Sequence, residues 1–529
     1  MIQRTLALLI IVLILAGARP AQTGVWNPLA YAVVGQAGEW DKQHFTTIQA
    51  ALDAGATWIV VRPGEYPSFD VNAPNVTIEF QDATIHNEFD VSVWIAPAAA
   101  NTTLKGELLI QGDSTGQLPA GDGFHGVGVY VNAPNVTIDG LRTSNLRSYS
   151  VYIPEPAAGY ANLRNFEFNN VCTDQYTNCC AATAIMFING ASDGTVQNGV
   201  VTGHSMFGGT WYGSSRVTFS HNRALNNWGK IGENCDVPRR VFENYGLGDG
   251  NYDNKFLYND IDGGDGAFEL ADVLHGTTVQ GNTVRNVNSH FGAMGSGDNH
   301  GTDLLIADNT FYCDGSDLAN WFSASGWIRG NTFKGCVENN IGTIYIPVNV
   351  SEDGVFITGN IFDGNGRVTR LSGGDVTFTD NLIVNPQYGN AIYIDNGVTD
   401  IRIKDNRFQG DTGSQAINSN GASKLTITGN YIEGHLALLS GTSDSVVSGN
   451  EIHSSAWLGL AVPTRSIVRD NLIFNDGQAL YVDGAAIAYS LVERNYYAML
   501  NGNANSTPPN CGTLNTCSGN WTMGQVPPP

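Results

Sequence analysis

VFITGNIF (355–362) decides the fold: an apolar-alternating strand, then Gly, then Asn, then two more apolar residues. Copies follow at VTFTDNLI (376–383), IRIKDNRF (401–408), LTITGNYI (425–432), SVVSGNEI (445–452) and SIVRDNLI (466–473). Others precede it at VTFSHNRA (217–224), TTVQGNTV (277–284), LLIADNTF (304–311) and GWIRGNTF (326–333). From Asn282 to Asn495 the marker Asn recurs every 20 to 29 residues. A period in that range means a solenoid, and the two-residue alternation inside each unit means strands. A stack of parallel β coils is predicted. Helical repeats are excluded by the β-branched alternation, and a sandwich or propeller is disfavoured by a single Asn position that recurs once per coil.

Composition agrees with a turn-dense β protein: 63 Gly and only 14% charged residues in 529. The formal charge of −23 argues against nucleic acid and anionic membrane as partners, since phosphate binding needs a basic surface. It suits solubility and surface sites for hard cations. Residues 1–18 read as a signal peptide, with Arg4, the apolar run Leu6–Ala16 and an Ala16-Gly17-Ala18 cleavage site. A secreted or cell-surface protein is expected, without membrane insertion. Eight cysteines suit an oxidising compartment and read as disulfides rather than metal ligands. Cys313 and Cys336 lie one coil apart, and Cys511–Cys517 would close a small loop; the other pairings stay open.

Within FTTIQAALDAGATWIVVRPGEY (45–66), Thr46 or Thr47 caps a short helix that Gly55 ends, and Trp58–Val61 is a buried strand. This segment resembles the N-terminal cap of pectin-lyase-like right-handed parallel β-helix proteins, which open with a TIQAALD-type helix and a V-x-P-G-x-Y turn. The resemblance implies an all-β, single-stranded right-handed parallel β-helix with an N-terminal capping helix. The chain then divides into the N-terminal segment and cap (19–66), the β-helix (67–500) and a C-terminal tail or linker (501–529). VNAPNVTI occurs at both 71–78 and 131–138, placing regular coils on both sides of residues 90–126.

Each marker Asn is structural: it tolerates the left-handed backbone of a tight turn, and its amide can bond the same group one coil away. Chemistry is expected on the other strand of each coil, as in GVYV (128–131), SVYI (150–153), AFELA (267–271), GTIYI (342–346) and NAIYI (390–394). Alternation turns Tyr130, Tyr152, Met186, Glu269, Tyr345, Tyr393 and Tyr481 outward, and Trp211, Tyr212, Lys230, Glu233, Trp321 and Arg370 fall in the same strand. Stacking puts such side chains in a column about 4.8 Å apart. An exposed row of aromatics with a few charges is what a polysaccharide would lie along. Tyr152, Trp211, Tyr212, Trp321, Tyr345, Arg370 and Tyr393 are the expected substrate-binding residues.

The repeat breaks step between Asn222 and Asn282. With Asp260 in the Asn slot that coil spans 38 residues, and the excess near 234–254 reads as a loop. In DGGDGAFELAD (262–272), Asp262 and Asp265 lie in a Gly-rich turn and Glu269 projects from the strand. Asp265, Glu269 and Lys230 are the candidate catalytic residues of a glycoside hydrolase or polysaccharide lyase. Asp262 and Asp265 are candidate Ca²⁺ ligands, the ion neutralising a uronate. GDGAFEL is similar in part to a polygalacturonase strand that begins G-D-D, but Gly266 replaces the second Asp. The alternative is a non-catalytic glycan-binding or surface β-helix.

Overall fold

The computed structural model describes residues 30–35, 43–87, 91–112, 126–146, 148–154, 159–169, 183–204, 206–227, 240–264, 266–294, 301–313, 320–336, 342–348, 354–386, 390–410, 415–439, 441–454, 458–461, 463–475, 478–481, 489–498 and 516–522. The signal peptide, most of the C-terminal tail, Lys230, Glu233 and Asp265 lie outside them.

The chain is a parallel β-helix. Each regular coil contributes two short arms flanking the marker Asn, such as Thr426–Thr428 and Tyr431–Glu433, and one strand to a second sheet, such as Gln415–Asn420. Every arm pairs in parallel with its equivalents in neighbouring coils, so a sequence position becomes a column. Ile357, Phe378, Ile403, Ile427 and Val447 form one such column, all fully buried. On the second arm Phe311, Phe333 and Phe362 stack ring on ring at centroid separations of 5.0 and 5.1 Å. In-register repetition of large apolar residues thus makes a continuous core along the helix axis.

The helix Ile48–Asp53 is present, with the Thr47 hydroxyl accepting the Ala50 N–H at 3.1 Å. It buries Ile48 and Ala51 against the first coil, and Gly55 follows at φ 82°. No helix among the described residues is long and apolar enough to cross a membrane.

From Asn222 to Asn520 the marker amides form an unbroken ladder, each Nδ2 donating to the Oδ1 of the next at 2.9–3.1 Å. Each Oδ1 also accepts the backbone N–H of the Asn before it, as Asn406 does from Asn381 at 2.9 Å. Nδ2 reaches back to a carbonyl of the preceding coil, as Asn406 to Phe378 at 2.9 Å. The left-handed conformation, however, belongs to the residue before the Asn: Asp405 at φ 55° and Gly429 at φ 70°. The Asn itself must turn inward to satisfy backbone groups that the bend strips from the strand ladder. Left-handed Asn occurs at another turn, where Asn75, Asn101 and Asn135 link side chain to side chain at 2.9 and 3.1 Å and bring the two VNAPNVTI copies into register.

Two expectations change in the long coil. Asn259, not Asp260, takes the ladder position, bonded to Asn222 and Asn282 at 3.0 Å each. The stretch expected as a loop contains the strand Arg240–Tyr252 of the second sheet, with a register shift between Gly246 and Asn251. The Cys313–Cys336 disulfide joins neighbouring coils with its Cα atoms 4.6 Å apart. Cys517 is disulfide-bonded as well; Cys511, its expected partner, lies outside the described residues.

Asn406→Ala leaves the buried backbone N–H of Asn381 without its acceptor and breaks the amide ladder there, so a loss of about 1–3 kcal/mol is expected, read as a lower urea midpoint. Lys404→Ala, on the exposed side of the same turn, should stay within about 0.5 kcal/mol. Buried His290 gives a pH signature. Burial pushes its pKa down to about 4 from the ordinary 6.5. Its folded value lies below its unfolded one, so its contribution is complete above 6.5 and is lost as pH falls from 6.5 through 4. His290→Gln should flatten the fall in urea midpoint across that window; an unchanged slope would show that His290 carries none of it.

Candidate active site

Strands of the second sheet kink near their start, so the usual alternation slips by one. Ser150 and Val151 both face inward: Ser150 bonds Thr143 inside the core and Val151 packs in it. The next position then faces out in every coil. Register makes it one column: Trp94, Tyr130, Tyr152, Met186, Gly209, Glu243, Glu269, Gly292, Trp321, Tyr345, Arg370, Tyr393 and Asn418.

The column has three parts. At its N-terminal end, Tyr152 and Met186 gather with Val127 and Met206 in a second apolar cluster on the outside of the sheet. Tyr152 is only 5% exposed, and burial, helped by Tyr149 and Tyr130, pushes its phenol pKa well up. It is therefore a packing residue, not the exposed sugar platform its alternation suggested; its neighbours in the column are apolar enough to close over it.

In the middle Glu243 and Glu269 stand side by side on adjacent coils. Glu243 is buried, with the Trp211 indole Nε1–H donating to its Oε2 at 3.1 Å. Gly209 makes that possible: a Cβ there would sit 3.2 Å from Nε1. The Arg240 guanidinium Nε lies 3.9 Å from Glu269 Oε2. Arg240 lies across Gly266, where a Cβ would fall 2.0 Å from Nη1. The Gly that departs from the G-D-D pattern is thus the seat of the arginine beside Glu269.

One outward position further along, Trp211 and Tyr245 pair in register, and with Tyr212 they form a triangle of rings 5.9–6.2 Å apart. Trp211 thereby flanks the column rather than standing in it, while Tyr212 ends the strand in a left-handed conformation. Burial and then the Asp272 carboxylate push the Tyr245 phenol pKa up. Behind Glu243 the core turns polar: Asn244 Oδ1 accepts from Thr210, Asn251 and Asn254 at 2.9, 2.6 and 3.1 Å, and its Nδ2 donates to Thr277 at 2.8 Å. This satisfied network fixes the backbone that carries the buried carboxylate.

Beyond Gly292 the column is an open aromatic track. Trp321 is 40% exposed and meets Tyr345 edge-on at 4.7 Å. Arg370 lies between Tyr345 and Tyr393, 5.9 and 5.8 Å from their ring centres. Its Nε donates to Asp395 at 2.9 Å, which holds its pKa up.

Asp262 is elsewhere. It lies on Asp260–Gly264, an arm next to the Asn ladder, with its oxygens accepting from Arg285 at 3.0 Å and Asn286 at 2.7 Å. The Asn286 bond, with Arg285, holds its carboxyl below the usual range. That arginine occupies the place a cation would take. Glu243 is absent from the sequence-based candidates because its strand, Arg240–Tyr252, falls in the stretch expected as a loop. The signal was there: VFEN (241–244) and AFEL (267–270) carry the same Phe-Glu pair 26 residues apart.

Residues 372–511 match the family model described as right handed beta helix region. No curated protein sequence matches the chain. Among solved structures, the β-helix is similar to a tailspike protein of E. coli bacteriophage HK620 in complex with hexasaccharide, at 12% identity and a TM-score of 0.40 over 90% of this chain and 73% of that one. It is also similar to an endo-xylogalacturonan hydrolase from Aspergillus tubingensis, at 12% identity and 0.32 over 78% and 97%. An alginate lyase gives 12% and 0.38 over 73% and 82%. At these identities and scores the likeness assigns no activity to this chain.

If Gly266 seats Arg240, Gly266→Ala should displace the guanidinium and lower stability by about 1–3 kcal/mol, measured by urea denaturation. Gly429→Ala, at a left-handed turn with φ 70° several coils from the arginine, provides the contrast: combined with Arg240→Ala its cost should be additive, whereas that of Gly266→Ala should shrink.

Proposed function

We propose that this protein is a glycoside hydrolase that cuts a polysaccharide laid along the outward column of the second sheet. The observation that carries the reading is the Glu243–Glu269 pair on adjacent coils, walled by Trp211 and Tyr245 and continued by the track from Trp321 to Tyr393. Two carboxylates flanking one bond are the machinery of glycosidic cleavage. Arg240 favours the carboxylate form at Glu269, which suits it to attack the anomeric carbon. Glu243, enclosed, is then the proton donor to the leaving oxygen. Trp321 offers an exposed aromatic surface to a sugar ring, and Arg370, lying over Tyr345 and Tyr393, offers N–H groups to hydroxyls.

Adjacent strands hold equivalent side chains about 4.8 Å apart, near the roughly 5–5.5 Å of retaining pairs and short of the roughly 6.5–9.5 Å of inverting ones. The first product should therefore keep its anomeric configuration, read by proton NMR before mutarotation. In a polysaccharide panel new reducing ends are expected without absorbance at 235 nm; absorbance there would mean a lyase. Glu243→Gln and Glu269→Gln should each lower kcat by about 10²–10⁴-fold while the fold is kept. Trp321→Ala should act mainly on KM. A chelator arm tests whether turnover needs calcium, and export to the medium tests secretion. No product from the wild type, or unchanged turnover in both Gln variants, would sink the assignment.

A further inference from the structure

A second cluster of reactive side chains lies inside the helix, one coil from Glu269 and unused by the proposed chemistry. Cys313 and Cys336 close the second arms of neighbouring coils, and His290 opens the strand that follows Glu269's. All three are buried, at 4% exposure or less. One ligand atom from each lies within 4.8 Å of the other two. The imidazole packs its face against sulfur: Cys313 Sγ is 3.6 Å from Nδ1 and 3.5 Å from Nε2, nearly equidistant from the two nitrogens. In this enclosed setting Nε2 faces the Tyr312 carbonyl at 3.3 Å, so Nδ1 is the nitrogen left to ligate once the ring tilts toward sulfur.

We propose that reduction of the Cys313–Cys336 disulfide opens a buried two-thiolate, one-imidazole site for a soft d¹⁰ ion, best met by Cu(I). Sulfur and nitrogen bound to one such ion stand about 3.6–3.8 Å apart, given bond lengths of about 2.3 and 2.0 Å. The Cys313–His290 separation is already of that size, so binding asks for a tilt of the ring rather than a shift of the coils. An Nε2–H donated to Tyr312 is the usual outer partner that fixes a metal-binding tautomer. Asn365 Oδ1 accepts the Cys336 N–H at 2.9 Å, while its enclosed Nδ2 has no acceptor among the described residues. A thiolate at Cys336 is the kind of acceptor that donor lacks. Among the described residues three donors meet without a fourth, a set that suits Cu(I) better than tetrahedral Zn²⁺.

The chemistry balances with a dithiol reductant. It gives two electrons and two protons to the disulfide and leaves as its own disulfide, and Cys313 and Cys336 become thiols. Cu(I) then displaces both thiol protons to solvent while Nδ1 of His290 donates its lone pair.

The test uses the full chain, reduced without oxygen and titrated with Cu(I) against a competing chelator. Because other cysteines are present, the readout is a difference. Wild type should hold about one equivalent more than Cys313→Ser/Cys336→Ser, and that equivalent should be absent before reduction. His290→Phe should weaken it by about 10–100-fold. X-ray absorption of wild type should contain a nitrogen scatterer that this variant lacks. Equal stoichiometry in the double-serine variant, or a sulfur-only environment in wild type, overturns the proposal. So does loss of the β circular-dichroism signal on reduction, since the site needs the two coils held in place.

Discussion

Everything in this molecule rests on parallel, in-register stacking of coils. A parallel strand pair sets like positions about 4.8 Å apart, so any residue repeated once per coil meets copies of itself. For Phe311, Phe333 and Phe362 this produces a stack of rings, and for the marker Asn a chain of amides. The Asn ladder matters more than one more row of hydrogen bonds. At the bend the backbone turns away from its neighbours, and N–H and C=O groups would be buried without partners; each amide supplies an acceptor and a donor there. The bend can then be tight and fully enclosed.

The same column logic makes the candidate site. A carboxylate is costly to enclose, yet Glu243 is enclosed, and the surroundings adapt to it. Gly209 leaves space for the indole that donates to it, and Gly266 leaves space for the arginine beside its neighbour. Behind it the apolar core gives way to Asn244, Asn251, Asn254, Thr210 and Thr277, with the bonds around Asn244 satisfied among themselves. Irregular register and most of the polar core lie in the long coil between Asn222 and Asn259, and the missing side chains lie on the coils that flank it. The coil spends regularity to orient groups that a regular coil would bury as phenylalanine or leave in water.

Much of the frame was legible because the ladder Asn, the αL residue before it and the alternating arms recur in sequence with little variation. The capping helix was legible because Thr47 and Gly55 are local signals. Errors came where local signals are degenerate. In YNDID, Asn259 and Asp260 are adjacent and either fits a turn; ladder bonds to Asn222 and Asn282 choose Asn259. Tyr152 faces outward as alternation says, yet outward is not exposed, because Met186, Val127 and Met206 share its surface. Asp262 is close to Glu269 in sequence, but a corner of the coil separates the two sheets and delivers Asp262 to Arg285.

By itself, the sequence determined the architecture: a short unit repeated many times can bury its apolar residues only by stacking, and its period names the coil. It also determined which strand of each coil carries aromatic and charged side chains. Only the tertiary structure decided which carboxylate stands beside Glu269, because Glu243 comes from a coil whose length no local pattern predicts. Tertiary structure likewise brought His290 against a disulfide whose halves come from two other coils. The physical reason is shared. Spacing within a strand is set by covalent geometry and is local, whereas spacing between coils depends on how many residues each turn spends getting back to the same column.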